Sequence, residues 1–258
     1  MNITSLQKAL AVGAALAALP CLAADNTPSY NLQPTFPTDV VDAYPLDYQT
    51  LSTFGIVRYE RTENGRNNWL LQPEVRYGFA PHWEADLAIP FMEGNYKGTG
   101  GGNIRLGALY QFLQDDEWYP ALAVGPQAEL PTGRASRGVD IALTLAATKS
   151  LAAFIPDARG DAVHLNFTWN HNMQSRAIER DDWFQFRMGY SRELFEGIVG
   201  VADFIHQQNI LKRHDENIIE GGLIYTWTKN LSVAGGLGFG LGAESPDIRV
   251  TTGVQYTF

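Results

Sequence analysis

The last twelve residues, Asp247–Phe258, most constrain what this chain can fold into. Ile248, Val250, Thr252, Val254, Tyr256 and Phe258 share one parity. Arg249, Thr251, Gly253, Gln255 and Thr257 share the other. A period of two means a strand with one apolar and one polar face. A soluble sheet has poor use for a terminal strand that aims Tyr256 and Phe258 outward. A transmembrane barrel uses such a strand, because lipid covers that face and strand one closes the edge.

The same alternation recurs through the chain in segments of about nine to eleven residues, the length that crosses a bilayer when tilted. Leu51–Arg61, Trp69–Phe79, Trp83–Phe91, Ile104–Leu113, Ala121–Leu130 and Val139–Thr148 form the first half. Val163–Asn170, Trp183–Ser191, Ile198–Gln207, Ile218–Thr228, Leu231–Leu241 and Asp247–Phe258 form the second. The span 51–258 holds 208 residues, about 17 for each of twelve strands and its connection. This predicts an all-β fold, a transmembrane antiparallel up-and-down barrel of about 12 strands. An even count places both termini on one side. The connections Ala80-Pro81 and Lys229-Asn230 are then short turns on that side, and Glu93–Gly102, His171–Arg180 and Asn209–Asp215 are the opposite, more polar loops. Ala152–Gly160 is long for a turn on the terminal side. A mean hydropathy of −0.17 with 12% aromatic residues and 25 glycines suits two-faced strands and argues against a bundle of membrane helices.

The first 23 residues read as a signal peptide: Lys8, an apolar run Ala9–Leu19 too short to span as a helix, Pro20, and small residues before a cut near Ala24. Removing Cys21 leaves a mature chain without cysteine and so without disulfide or thiol chemistry. Residues 24–50, with Pro28, Pro34, Pro37 and Pro45, read as a leader that either hangs in the periplasm or folds back into the lumen as a plug. Residues 51–258 are the barrel. Export to the outer membrane of a Gram-negative cell follows, with outer-membrane lipid and the barrel-assembly machinery as partners; Tyr256 and the final Phe258 resemble the signal by which outer-membrane barrels are handed to that machinery.

The polar parity carries both signs. Glu74, Arg76, Glu84, Asp86, Arg105, Glu129, Arg187, Glu220 and Arg249 are expected to line the lumen. There they form either a selectivity ring for a small solute or a salt-bridge network that fills the core. Trp69, Trp83, Trp169, Trp183, Trp227 and Tyr256, near strand ends, are expected to form aromatic girdles at the interfaces. A soluble β-sandwich would alternate too, but the terminal aromatics and the signal favour the barrel.

No catalytic or metal site is expected. His164/His171 and His206/His214 do not have a recognised ligand spacing, and Gly-x-Ser-x-Gly is absent. A lipid hydrolase built on His164 stands as a remote alternative. The stretch Gly235-Gly236-Leu237-Gly238-Phe239-Gly240 lacks the strand–helix setting of a nucleotide loop and reads better as small inward residues that leave room in the lumen. A net charge of −9 makes nucleic acid an unsuitable partner.

The order of several short motifs resembles a known family. They are Phe36-Pro37-Thr38-Asp39 with Asp42-Ala43, Asn103-Ile104-Arg105-Leu106-Gly107, and Pro120-Ala121-Leu122-Ala123 through Glu129-Leu130-Pro131-Thr132-Gly133. Thr148-Lys149, His164-Leu165-Asn166 and Ser245-Pro246-Asp247 follow. Together these resemble the outer-membrane barrels named for the meta-pathway of phenol degradation. The resemblance implies a channel for hydrophobic or aromatic solutes and carries over no catalytic residue and no cofactor. The expected function is therefore passive uptake of a small solute, aromatic solutes included, by a monomer. A closed structural or surface-interaction barrel is the alternative.

Overall fold

The computed structural model describes residue 30 and residues 32–258, apart from 63, 64, 96–98, 135, 137, 156, 157, 159 and 212–214. The signal peptide, Pro28 and His214 lie outside the described residues. Fourteen strands follow one another: β1 (Leu51–Arg61), β2 (Asn67–Ala80), β3 (Trp83–Ala88), β4 (Phe91–Gly94), β5 (Gly100–Gly101), β6 (Ile104–Leu113) and β7 (Ala121–Leu130). They continue with β8 (Asp140–Ser150), β9 (Ala162–Asn172), β10 (Asp182–Phe195), β11 (Ile198–Gln208), β12 (Asp215–Thr226), β13 (Leu231–Gly240) and β14 (Ile248–Thr257).

These make a closed antiparallel barrel of twelve staves. Each stave pairs with its sequence neighbours, and β1 pairs with both β2 and β14. The closing register runs from Ser52 opposite Thr257 to Arg61 opposite Ile248, so no edge is left open. The segment read as one strand, Trp83–Phe91, is divided into β3 and β4 around Ile89-Pro90. Pro90 brings no N–H to a ladder and turns its carbonyl to the Gly102 N–H. The divided stave still pairs with β2 along its length, and the two-residue β5 pairs with β4.

Alternation sets the two faces. In β2, Asn68, Gln72, Glu74 and Arg76 are buried while Trp69, Leu71, Val75 and Tyr77 are exposed. In β14, Arg249, Thr251, Gly253 and Gln255 are buried while Val254 and Tyr256 are exposed. The exposed face is an apolar band that lipid would cover, and the buried face is polar, the reverse of a soluble core. The described residues include no helix long and apolar enough to cross a membrane, which does not bear on crossing by strands. Aromatic side chains meet one another near the ends of the staves: Tyr59 and Trp69 (4.7 Å), Trp83 and Tyr110 (4.3 Å, stacked), Tyr256 and Phe258 (4.8 Å).

The end that holds the start of β1 and the end of β14 is the terminal end. Its turn after β6 is stiffened by Asp116, whose carboxylate accepts the backbone N–H groups of Trp118 and Tyr119 at 2.7 Å. Those two hydrogen bonds, Tyr119 first, hold its carboxyl below the ordinary value. Lys149 ties the same turn to β8 through Asp115 (2.7 Å).

Residues 32–46 do not hang free of the barrel. Leu32, Phe36, Val40, Ala43 and Tyr44 are all buried, among side chains that point inward from the staves.

Candidate functional site: the filled lumen

The inner segment follows a shape cut into the wall. Leu32, Phe36 and Val40 pack with Phe54 and Ile56 of β1, Val199 and Val201 of β11 and Ile224 of β12. Phe36 meets Phe54 edge-on, with centroids 5.4 Å apart. Glycine supplies the recesses. A Cβ at Gly253 would lie 2.7 Å from the Phe36 ring, and one at Gly222 would lie 2.7 Å from Pro37 Cγ. A Cβ at Gly236 would lie 2.7 Å from the Pro37 carbonyl oxygen. Such separations are below any van der Waals contact, so these positions tolerate no side chain while the segment stays in place. The glycines of β13 thus make room for lumen contents: Gly236 for Pro37, Gly238 for the Glu220 side chain, Gly240 for Ser245 and Pro246.

An extended segment inside a barrel has backbone groups that need partners. Wall side chains supply them. Asp203 Oδ2 accepts the N–H groups of Asp39 (2.9 Å) and Val40 (2.8 Å). Asn166 grips Val41 from both sides, accepting its N–H and donating to its carbonyl at 2.8 Å each. Thr148 Oγ1 accepts the Ala43 N–H (2.9 Å), and Glu84 accepts the Leu46 N–H (2.9 Å). Asp42 folds the segment on itself by accepting the N–H groups of Leu32 and Tyr44.

Two ionic clusters hold the lumen charges. In the first, Arg58 of β1 forks onto Asp39, with Nη2 2.7 Å from Oδ1. Arg249 of β14 reaches Asp39 (3.0 Å), Glu60 (2.8 Å) and Glu220 (2.7 Å). In the second, Arg76 donates to Glu74 and Glu84 (2.6 Å each), and Arg105 donates to Glu74 (3.0 Å). Removing such charges from water costs several kcal/mol per ion, and only multiple close partners offset that. Every arginine of the two clusters meets at least one carboxylate.

His164 Nε2 lies 2.9 Å from Ser191 Oγ, and its Nδ1 lies 3.0 Å from Thr148 Oγ1. A serine and a histidine at this distance suggest a nucleophile and its base. Here the imidazole bridges two hydroxyls, and Thr148 Oγ1 also accepts the Ala43 N–H. The histidine relays the anchoring of Ala43.

Above the inner segment, at the end away from the termini, a vestibule of about 640 Å³ opens. Arg105, Glu129, Asp140 and Asn172 face it from the staves. The glycine-rich turn 100–102 borders it and is clasped from the neighbouring loop. Thr132 Oγ1 accepts the Ile104 N–H (2.8 Å), Asn103 accepts the Gly133 N–H (3.2 Å), and Gly101 accepts the Arg134 N–H (3.2 Å). A second clasp uses Ser245, which accepts the Asn217 N–H (2.9 Å), and Pro246, which accepts the Gly240 N–H (2.9 Å).

Of the expected lumen residues, Glu74, Arg76, Glu84, Glu220 and Arg249 are buried in the two clusters. Arg105, Asp86 and Glu129 border open space, and Arg187 bonds to Thr168 and Gln185 rather than to a carboxylate. Trp69, Trp83, Trp169, Trp227 and Tyr256 sit on outward parities. Trp183 does not: it shares the inward parity of Gln185 and Arg187, because Phe184, Phe186 and Met188 occupy the outer row of β10. Tyr256 and Phe258 lie at the closing seam, where Phe258 N–H bonds the Leu51 carbonyl (2.9 Å). Arg58 and Asp203 of the wall carry much of the contact with the inner segment, through Asp39 and Val40, and Asp39, Arg58, Glu60 and Asp203 were not expected as site residues. The inward parity of Arg58 and Asp203 was readable, whereas their partner in the leader was not. Trp118, Tyr119 and Phe154 add exposed aromatic surface at the terminal end, from turns without alternation.

The residues that carry the family resemblance converge in space. Phe36, Pro37 and Asp39 meet the wall at β1 and β12 to β14, while Thr148 and Asn166, with His164 behind Thr148, hold Ala43 and Val41. Asn103, Thr132, Gly133, Ser245 and Pro246 form the two clasps. Among solved structures, the chain is similar to the COG4313 outer membrane channel from Pseudomonas putida F1. They share 13% identity over 84% of this chain and 98% of that one, with a TM-score of 0.63. It is also similar to the KdgM porin, at 13% identity over 80% and 99% and a TM-score of 0.57. The outer membrane protein Omp33 of Acinetobacter baumannii follows, at 11% identity over 83% and 99% and a TM-score of 0.51. At these identities the likeness is one of fold. None of the curated protein sequences matches the chain. Residues 85–258 match a family model in their own right, so this chain belongs to the family described as "Putative MetA-pathway of phenol degradation".

Proposed function

We propose that the protein is a passive channel of the outer membrane for small solutes, aromatic ones included, whose conductance is limited by its own inner segment. The observation that carries this reading is the vestibule of about 640 Å³, open at one end of a barrel whose other half is filled by residues 32–46. Solute enters from the cell exterior at the loop end, and the inner segment narrows its way to the terminal, periplasmic end. Support comes from the family and from the fold shared with an outer-membrane channel and a porin. The aromatic solute class rests on the family description alone. In this reading the barrel is a monomer in outer-membrane lipid, exported by a cleaved signal peptide and inserted by the assembly machinery through Tyr256 and Phe258.

A closed structural barrel is the second reading, favoured by the ionic clusters that bridge the lumen. Single-channel recording and liposome swelling separate the two. A channel conducts with the leader in place and conducts more once residues 25–50 are deleted. A barrel silent in both forms overturns the proposal.

A further inference from the structure

Two open spaces meet at Arg105. It lines the vestibule, and it also lines a smaller cavity of about 70 Å³ between the inner segment and the wall of β6, β7 and β8. On the inner-segment side this cavity is bordered by Pro34 and Val41, and on the wall side by Gly107, Gly125 and Thr144. Elsewhere Phe36 and Val40 pack on β1, β11 and β12, and Pro37 lies over the glycines of β12 and β13. A cavity of about 160 Å³ also borders the segment at Asp39, but Asp39 and Glu60 there are bonded to Arg58 and Arg249. The small wall residues of β6, β7 and β8 leave a cavity beside the segment that shares Arg105 with the vestibule. Below it, Leu109 leads to Tyr44, the one aromatic residue in a cluster otherwise built of Leu109 and alanines.

Acidic groups outnumber basic ones in this sector: Arg76 and Arg105 stand beside Glu74, Glu84 and Asp86. Both guanidiniums are bonded to Glu74, and Arg76 to Glu84 as well. Asp86 is left over. Its carboxylate lies over Gly107, where a side chain would collide with it, and it lines the cavity. Among the described residues no donor reaches it within hydrogen-bonding distance. Arg76 and Arg105 act on it through space while committed elsewhere. A carboxylate at a constriction without a donor is completed by whatever passes, and a cation or a solute that donates hydrogen bonds completes it best.

We infer that the solute path runs down the β6–β8 side of the inner segment, with Asp86 as the residue that makes it prefer cations and hydrogen-bond donors over anions. This rests on the channel reading above and goes further, by assigning the path, the sign of its selectivity and the residue responsible.

The test is the zero-current potential of the purified full-length protein in a planar bilayer under a KCl gradient. The expected result is a several-fold preference for K⁺ over Cl⁻. Asp86→Asn, close in shape and replacing a side chain without a bonded partner, should bring that preference near unity and leave heat-modifiable migration intact. Glu117→Gln, in an exposed turn, should leave the preference unchanged. A conducting protein without K⁺ preference overturns the inference even with no variant in hand, and so does a preference that survives Asp86→Asn. No conductance at all overturns the channel reading itself.

Discussion

Asp39, in the inner segment, receives the Arg58 guanidinium of β1 as a fork, with Nη2 2.7 Å from Oδ1. Arg249 of β14 reaches the other oxygen of the same carboxylate. One leader side chain therefore bonds to both staves that meet where the barrel closes. Asp39→Asn leaves two arginines facing one neutral amide. Breaking a buried pair from one side costs about 3–5 kcal/mol. The expected outcome is a lower midpoint of heat-modifiable migration and a higher mean conductance, because the inner segment is held less tightly. Equal conductance in the two proteins would show that the pair does not hold the segment.

Gly253→Val places a branched side chain where the Phe36 ring lies. The clash cannot be relieved within β14, whose register is fixed on both sides by β1 and β13. The inner segment is therefore displaced rather than the strand. Conductance should rise toward that of the protein lacking residues 25–50, and Phe36→Ala should restore the original value in the double variant.

Tyr44→Ala removes the large side chain from a cluster of Leu109 and alanines. The loss in packing is of the order of 3–5 kcal/mol for an aromatic truncated in a core. The conductance readout is separate from that loss: single-channel conductance should increase with ion preference unchanged, since Asp86 is untouched. An unaltered conductance would place the constriction elsewhere.

His164→Ala removes the relay between Thr148 and Ser191. Leaving buried hydroxyls without their partner costs about 1–3 kcal/mol. The variant should be less stable than the parent, and lipid hydrolysis should be absent from parent and variant alike. Hydrolysis by the parent that His164→Ala abolishes would revive the enzymatic reading.

The staves were legible because each carries its own alternation, and a period of two needs no partner to be read. The inward charges were legible for the same reason, since Glu74, Arg76, Glu220 and Arg249 declare their face by parity. What parity cannot show is depth or partnership. Arg105 and Asp86 share a face with Arg76, yet Arg105 reaches the vestibule and Asp86 has no bonded donor among the described residues, while Arg76 is held between two glutamates. The fate of the leader was hidden in a different way. Four prolines and little periodicity fit a loose tail as well as an ordered segment, and only the wall decides. The clue lay in β13, where Gly236, Gly238 and Gly240 read as room to spare, though nothing named the occupant. Trp183 was misplaced because closeness to a strand end was given more weight than parity.

The inner segment crosses the one joint in the barrel that sequence adjacency does not make. The pairing of β1 with β14 joins residues some two hundred positions apart. Phe36 lies against Phe54 on one side of that joint and Gly253 on the other, and Asp39 is bonded across it to Arg58 and Arg249. The last seam is thus stitched from within as well as laced along its edges. The segment that narrows the channel is therefore also a brace on the wall: a change that loosens it at Phe36 or Asp39 weakens the seam as it widens the path.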